Sequence, residues 1–197
     1  MGQIYRGVTL LICNGAPVNG LSDSFLFIGQ GYMGSVPIPV IIMLVIAVGM
    51  ALFMSRTVLG RHIILMGGNA EAARISGVNT KWVQNAAYMI TGLCVAIAAV
   101  IMDGRVGSGQ PTAGTGMEMD AIAAVVIGGT PLHGGSGNVI GSIMGALIVG
   151  VINNGLNLVK VNTYWQMAAK GILILVAIIL DEGTNSFMRK KQAKAAK

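Results

Sequence analysis

The sequence predicts an all-α membrane protein: a polytopic bundle of membrane-spanning helices with one short, broken crossing and one short helix on the cytoplasmic side. Hydrophobic residues make up 54% of the 197-residue chain and charged residues only 10%, whereas a soluble domain carries about 25% charged residues. Several uncharged stretches are long enough to cross a bilayer. Positive residues gather at the ends of these stretches, as is typical of the cytoplasmic side.

The chain begins with a stretch that has neither the charged start nor the cleavage site of a signal peptide. We interpret it as the end of a span, and the chain as a fragment that lacks its N-terminal spans. Cys13 and Cys94 lie far apart, so no disulfide is expected. Four further stretches are predicted to be membrane helices, namely residues 36–54, 82–102, 138–159 and 165–180. Lys170 interrupts the last of them, and we expect it to snorkel outward, with pairing to an acidic residue as the alternative.

The order of the loops requires one more crossing. The positive loop at about 55–81 and the basic tail at about 183–197 both belong inside. Three crossings must follow the span at 82–102, so residues 121–129 have to cross, although they are only about half a bilayer long. We expect a broken or partly unwound helix, because irregular backbone at that depth must be enclosed by protein or line a watery cavity. Asp120 is expected to cap its outer end, with direct ligand contact as the alternative.

The span at 138–159 carries small and polar residues at helical spacing. Gly141 and Gly145 form a small-xxx-small pair, which is typical of close helix packing. Asn153 and Asn157 lie on one helix face, and with Asp120 they are candidates for the translocation path or the bundle interior. Interhelical hydrogen bonding is the alternative role for the two asparagines.

Residues 69–77 predict the short cytoplasmic helix. Asn69 is a preferred N-cap residue, and Glu71 lies in the first turn, where the helix dipole favours an anion. Arg74 is within reach of Glu71. Gly77 is expected just after the helix, because glycine adopts a positive φ without penalty.

Motifs for chemistry on the chain itself are missing from the sequence. Neither His62 nor His133 has a partner at metal-ligand spacing, and no G-x-x-x-x-G-K-[ST] loop is present. We therefore predict no catalytic site, no metal site and no cofactor held by this chain. The net charge of +6 follows from the topology and does not indicate nucleic-acid binding.

Several stretches together resemble a known family. The pattern Glu71-Ala72-Ala73-x-x-x-Gly77 matches the E-A-A-x-x-x-G core of the coupling loop of bacterial ABC importer permeases. The I-x-L-P ending of the fuller motif is absent after Gly77. The rest of the chain resembles the C-terminal three-fifths of permeases of the ribose and methyl-galactoside type, through residues 104–108, 110–116, 119–129, 153–157, 164–166 and 170–171.

The resemblance implies that residues 1–197 form one permease domain in the bacterial inner membrane, with a cytoplasmic C-terminus. It implies three protein partners: an ABC ATPase that hydrolyses ATP with Mg²⁺, a periplasmic or lipid-anchored sugar-binding protein, and a second permease copy that completes a homodimer. The coupling residues it implies are Asn69, Glu71, Ala72, Ala73, Arg74 and Gly77. Ala72, Ala73 and Ser76 are expected to present a smooth face to the ATPase. A branched-chain amino acid permease and a non-transporting membrane scaffold are the alternatives.

Overall fold

The structure is a computed structural model that describes residues 2–162, 164–166, 168–169, 171–172, 175 and 179. The all-α prediction is confirmed, since helices dominate and the only strands among these residues form a hairpin of two residues each. The helices are α1 (Gly2–Ile12), α2 (Asp23–Gln30), α3 (Ile38–Arg56), α4 (Val58–Gly68), α5 (Ala70–Ile75), α6 (Thr80–Val106), α7 (Met117–Ile127) and α8 (Val139–Leu158), and the strands are β1 (Tyr32–Met33) and β2 (Val36–Pro37).

Three of the described helices, α3, α6 and α8, are long and apolar enough to cross a membrane. They occupy the first three predicted spans. The fourth predicted span, residues 165–180, is described only in part. Lys170 and the basic tail at 183–197 lie outside the described residues.

Within the predicted cytoplasmic loop at 55–81, the structure has the expected short helix, α5, and a further helix, α4, that was not predicted. The corner before α4 is built by Thr57, whose hydroxyl donates to the Phe53 carbonyl at 2.7 Å and accepts from the Gly60 N–H at 3.0 Å. A Cβ at Gly60 would lie 2.6 Å from the Phe53 carbonyl oxygen. Arg56 is the last residue of α3 and Arg61 lies in the first turn of α4, so the two charges are on either side of this corner.

The short crossing segment, predicted at residues 121–129, is helical, but its helix covers different residues. Helix α7 runs without a break from Met117 to Ile127, which gives it a length of about 16 Å against a hydrocarbon core of about 30 Å. Its N-cap is Gly116, at φ +83°. The prediction that Asp120 caps the helix is therefore wrong, and Asp120 lies in the first turn instead.

The chain divides into two compact units. Unit 1 comprises Met1–Gly49 and Lys81–Thr115, and unit 2 comprises Met50–Thr80 and Gly116–Lys197. In unit 1, α2 contacts the end of α6 so closely that a Cβ at Gly29 would overlap the backbone of Gly104. In unit 2, α5 packs against α4 and α7 packs along α8. All the residues predicted to contact the ATPase or to line the translocation path belong to unit 2.

Candidate functional site

Helix α5 is closed at both ends by its own residues. The Asn69 side chain accepts from the Ala72 N–H at 3.0 Å, which confirms the predicted N-cap. After the helix, the Gly77 N–H donates to the Arg74 carbonyl and the Val78 N–H to the Ala73 carbonyl, each at 3.0 Å. This pattern is a Schellman motif, which requires the left-handed backbone that Gly77 supplies at φ +85°. The six-residue helix is thus defined locally at both termini.

The surface of α5 differs from the prediction at one position. Ala73 is only 6% exposed, so it faces the protein and the prediction that it belongs to an outer docking face is wrong. Ala72 and Ser76 are exposed, and Ile75 between them is 80% exposed. The outer face of α5 therefore consists of two small residues and one apolar side chain.

The predicted ion pair of α5 is present. Arg74 contacts Glu71 at 2.7 Å, and their side chains are 69% and 64% exposed. An exposed pair of this kind contributes about 0.2–1 kcal/mol. It orients the side chains at the rim of the helix more than it stabilises the fold.

Directly before α5, the end of α4 contacts the turn between α7 and α8. We call this the glycine contact, and its members are Gly67, Gly68, Gly134 and Gly135. A Cβ at Gly67 would lie 3.1 Å from the Gly135 nitrogen, and one at Gly68 would lie 3.1 Å from the Gly135 Cα. On the other side, a Cβ at Gly134 would lie 2.7 Å from the Gly67 carbonyl oxygen. The two backbones approach this closely only because neither carries side chains.

Sequence reasoning did not anticipate the glycine contact. Residues 130–137 form a neutral, glycine-rich stretch in which no charge or hydrophobic period points to a contact. The sequence carries one sign of this contact, namely two Gly-Gly doublets. Gly67-Gly68 lies at the end of a helix and Gly134-Gly135 lies in a turn. Gly134 and Gly135 also need glycine for their own conformation, with φ of +75° and +83°.

From this turn, α7 and α8 run side by side with their backbones in contact. A Cβ at Gly145 would overlap the Ala124 carbonyl oxygen, and one at Gly141 would overlap the carbonyl oxygen of Gly128. The structure thus places the Gly141 and Gly145 pair against α7. Ala123, Ala124 and Val149 form the buried apolar cluster between the two helices.

The polar candidates divide into one pair and one separate residue. Asn153 on α8 donates through Nδ2 to the Asp120 carboxylate on α7 at 3.4 Å. The Asn153 Oδ1 atom is buried and has no hydrogen-bond partner among the described residues. Asn157 is exposed, and its Oδ1 accepts from Gln166 Nε2 at 3.0 Å. The structure therefore brings Asp120 and Asn153 together and leaves Asn157 apart.

Acidic, histidine and cysteine side chains do not converge in the described part of the chain. Within it, no three of them come close enough to hold a metal ion. Cys13 and Cys94 are both free thiols.

Comparison with known proteins places this arrangement in context. The model of a family described as "Branched-chain amino acid transport system / permease component" matches residues 9–178. The ribose import permease protein of Bacillus subtilis is 43% identical over 192 residues, which are 96% of this chain and 58% of the relative. That of Escherichia coli K12 is 46% identical over 185 residues, 92% of this chain and 58% of the relative.

A third relative is named for a different sugar. The xylose transport system permease protein of Escherichia coli K12 is 46% identical over 149 residues, which are 76% of this chain and 38% of the relative. The chain thus spans 58% of the length of the two ribose permeases. No solved structure matches it significantly.

Proposed function

We propose, since the chain belongs to the family of branched-chain amino acid transport system permease components, that it is the membrane-spanning permease subunit of an ATP-driven importer of a monosaccharide. The proposal of a sugar rests on the relatives, which are named ribose and xylose permeases at 43–46% identity. The alternative of a branched-chain amino acid is supported only by the family's description. A scaffold without a transport path is not favoured, because these relatives are named as import or transport permeases.

The energy for import comes from a separate subunit. Because the sequence has no phosphate-binding loop, ATP with Mg²⁺ is hydrolysed by an ABC ATPase partner. Helix α5 is the contact for that partner, with Asn69, Glu71, Ala72, Arg74 and Gly77 defining its ends and exposed surface. The observation that carries this assignment is the closed capping of α5 together with its exposed face, since a partner can push on a short helix only if the helix keeps its shape.

The glycine contact connects α5 to the rest of unit 2. A displacement of α5 acts first on Gly68, which immediately precedes Asn69, and through Gly68 on the α7–α8 turn. The close-packed α7–α8 hairpin then moves as one body, because packed interfaces do not deform continuously. The motion would then reach Asn153, which lies fourteen residues along α8 from Val139. That distance is about 21 Å at 1.5 Å per residue.

The same contact supports the proposed topology. Residues 55–81 are predicted to be cytoplasmic, and a crossing by residues 121–129 would bring residues 130–137 to the same side. The glycine contact supports this by joining the two segments. The proposed topology places residues 103–118 outside and the C-terminus inside, in the bacterial inner membrane. A periplasmic or lipid-anchored binding protein delivers the sugar to the outer side, and a second permease copy completes a homodimer.

The test is ATP-dependent uptake by the whole importer in proteoliposomes, with D-ribose, D-xylose, D-galactose and L-leucine supplied in turn. We expect accumulation of at least one sugar and none of leucine. Accumulation of leucine alone would contradict the sugar assignment and favour the amino-acid alternative.

A further inference from the structure

A small cavity lies between α7 and α8 at the end of the hairpin opposite to the glycine contact. Its volume is about 130 Å³, and two of its lining residues are polar while the rest are apolar: Asp120, Ala123, Val149, Ile152, Asn153, Leu156 and Ala169. Asp120 and Asn153 are the pair joined at 3.4 Å. The cavity therefore combines an apolar wall with one polar edge.

The amide oxygen of Asn153 has unused capacity to accept a hydrogen bond. Asn153 Oδ1 is buried and has no partner among the described residues, and leaving a buried acceptor unpaired is costly. The Asn153 amide also makes only a long bond to Asp120, at 3.4 Å, beyond the usual 2.7–3.2 Å. A pair that served only to join two helices would satisfy its amide oxygen, so this geometry is suited to a group that enters and donates.

The chemistry of the wall determines which donor fits. A hard cation such as Na⁺ or Ca²⁺ needs a shell of several oxygen ligands, and the apolar lining of Ala123, Val149 and Ile152 cannot supply them. A hydroxyl or an ammonium group can donate a hydrogen bond to the polar edge alone. If the same ligand also has an apolar face, that face fits the apolar wall. A monosaccharide offers both, with hydroxyl donors and a C–H face, and so does an apolar amino acid.

We infer that this cavity binds the transported solute, with Asn153 Oδ1 accepting a hydrogen bond from one hydroxyl of a monosaccharide at the Asp120 edge. The inference rests on the proposed function for its choice of hydroxyl over ammonium. A single weak contact suits a transport path, in which the solute must bind and also leave. The cavity thus contributes a preference for one hydroxyl position within the membrane, separate from the selection made by the binding protein.

The experiment compares each sugar with analogues that lack one hydroxyl. The whole importer is reconstituted with saturating binding protein, and uptake of D-ribose, D-xylose and their monodeoxy analogues is measured. We expect one monodeoxy analogue to be imported about twofold to tenfold less efficiently than its parent, as one neutral hydrogen bond predicts. In Asn153→Leu, which keeps the branching of the side chain and removes its acceptor, the ratio of parent to that analogue should fall to about one.

Two further variants keep the result decisive. Asn154→Leu is the matched control, because Asn154 is the next residue of α8 and is exposed, and it should leave the ratio unchanged. Asp120→Asn keeps the shape of the pair and tests the site even if Asn153→Leu fails to assemble, because replacing a carboxylate oxygen by a donor NH₂ should change the same ratio.

The outcomes separate this inference from the proposed function. If Asn153→Leu lowers the amount or thermal stability of the permease while the ratio is unchanged, or if Asp120→Asn leaves the ratio unchanged, the pair only joins the helices and the inference is overturned. If leucine is imported in place of every sugar, the proposed function fails, and the hydroxyl assignment fails with it. If sugars are imported with an unchanged ratio in every variant, only the cavity assignment fails.

Discussion

Enlarging Gly67 should disconnect the ATPase contact from the α7–α8 hairpin. An alanine Cβ at Gly67 would lie 3.1 Å from the Gly135 nitrogen and 3.4 Å from the Gly134 Cα, whereas non-bonded carbon atoms prefer about 3.5–4.0 Å. Alanine therefore pushes the turn away by a few tenths of an ångström. The branched side chain of Gly67→Val is bulkier against the same backbone atoms and should separate the two segments further.

The effect on stability alone will be small. Replacing glycine by alanine within a helix gains about 0.5–1 kcal/mol, while overpacking a close contact costs about 1–3 kcal/mol. For Gly67→Ala the net cost is about 0–2.5 kcal/mol, so the protein should still fold and insert. The loss should instead appear in coupling, and a coupling free energy of about 1–3 kcal/mol corresponds to a factor of about 5–150.

The assay measures sugar imported per ATP hydrolysed in proteoliposomes. Gly67→Val should hydrolyse ATP but import at least about fivefold less sugar per ATP. The matched control is Gly155→Ala in α8, where an added Cβ meets nothing within 4 Å, and import per ATP should be unchanged. If Gly67→Val imports as much sugar per ATP as the unmodified importer, the glycine contact does not transmit the motion and the reasoning is refuted.

The remaining predictions concern α5 and the topology. Glu71→Gln removes an exposed ion pair, so the free energy of unfolding should change by only about 0.2–1 kcal/mol, and a larger loss would show a buried role. Gly77→Val forces a β-branched residue to φ +85° and should cost more than about 1–2 kcal/mol, with Gly77→Asn milder. Ala73→Trp overpacks a residue that is 6% exposed and should lower the unfolding midpoint, and an unchanged midpoint would contradict that burial. Cysteines at Ser76 and Gln110, both exposed and placed in a cysteine-free background, should be labelled from opposite faces, and labelling from one face would refute the order of crossings.

Local rules made α5 predictable from the sequence. Its caps depend on residues within five positions of each other, so Asn69, Gly77 and the Glu71–Arg74 pair could be assigned from the sequence. The three long spans were equally visible, because length and hydropathy alone determine them. These features need no knowledge of distant parts of the chain.

Tertiary contacts explain what the sequence could not show. No local signal distinguishes the buried Ala73 from the exposed Ala72, since the difference arises where α5 packs on α4. Asp120 has the chemistry of a cap, but Gly116 takes that place with its positive φ. The partner of each Gly-Gly doublet lies more than sixty residues away, beyond any periodic pattern.

The central claim is that an ATPase acts on α5 to drive sugar import, and its most direct test is Ala72→Trp. Ala72 is exposed on the outer face of α5, so a tryptophan there disturbs a partner while leaving the buried side at Ala73 intact. The measurement is sugar imported per ATP hydrolysed, with membrane insertion and docking of the binding protein checked in parallel. We expect insertion and docking to be normal, and ATPase association or import per ATP to be lost. If Ala72→Trp assembles with the ATPase and imports sugar at the normal ratio, α5 is not the contact that drives transport.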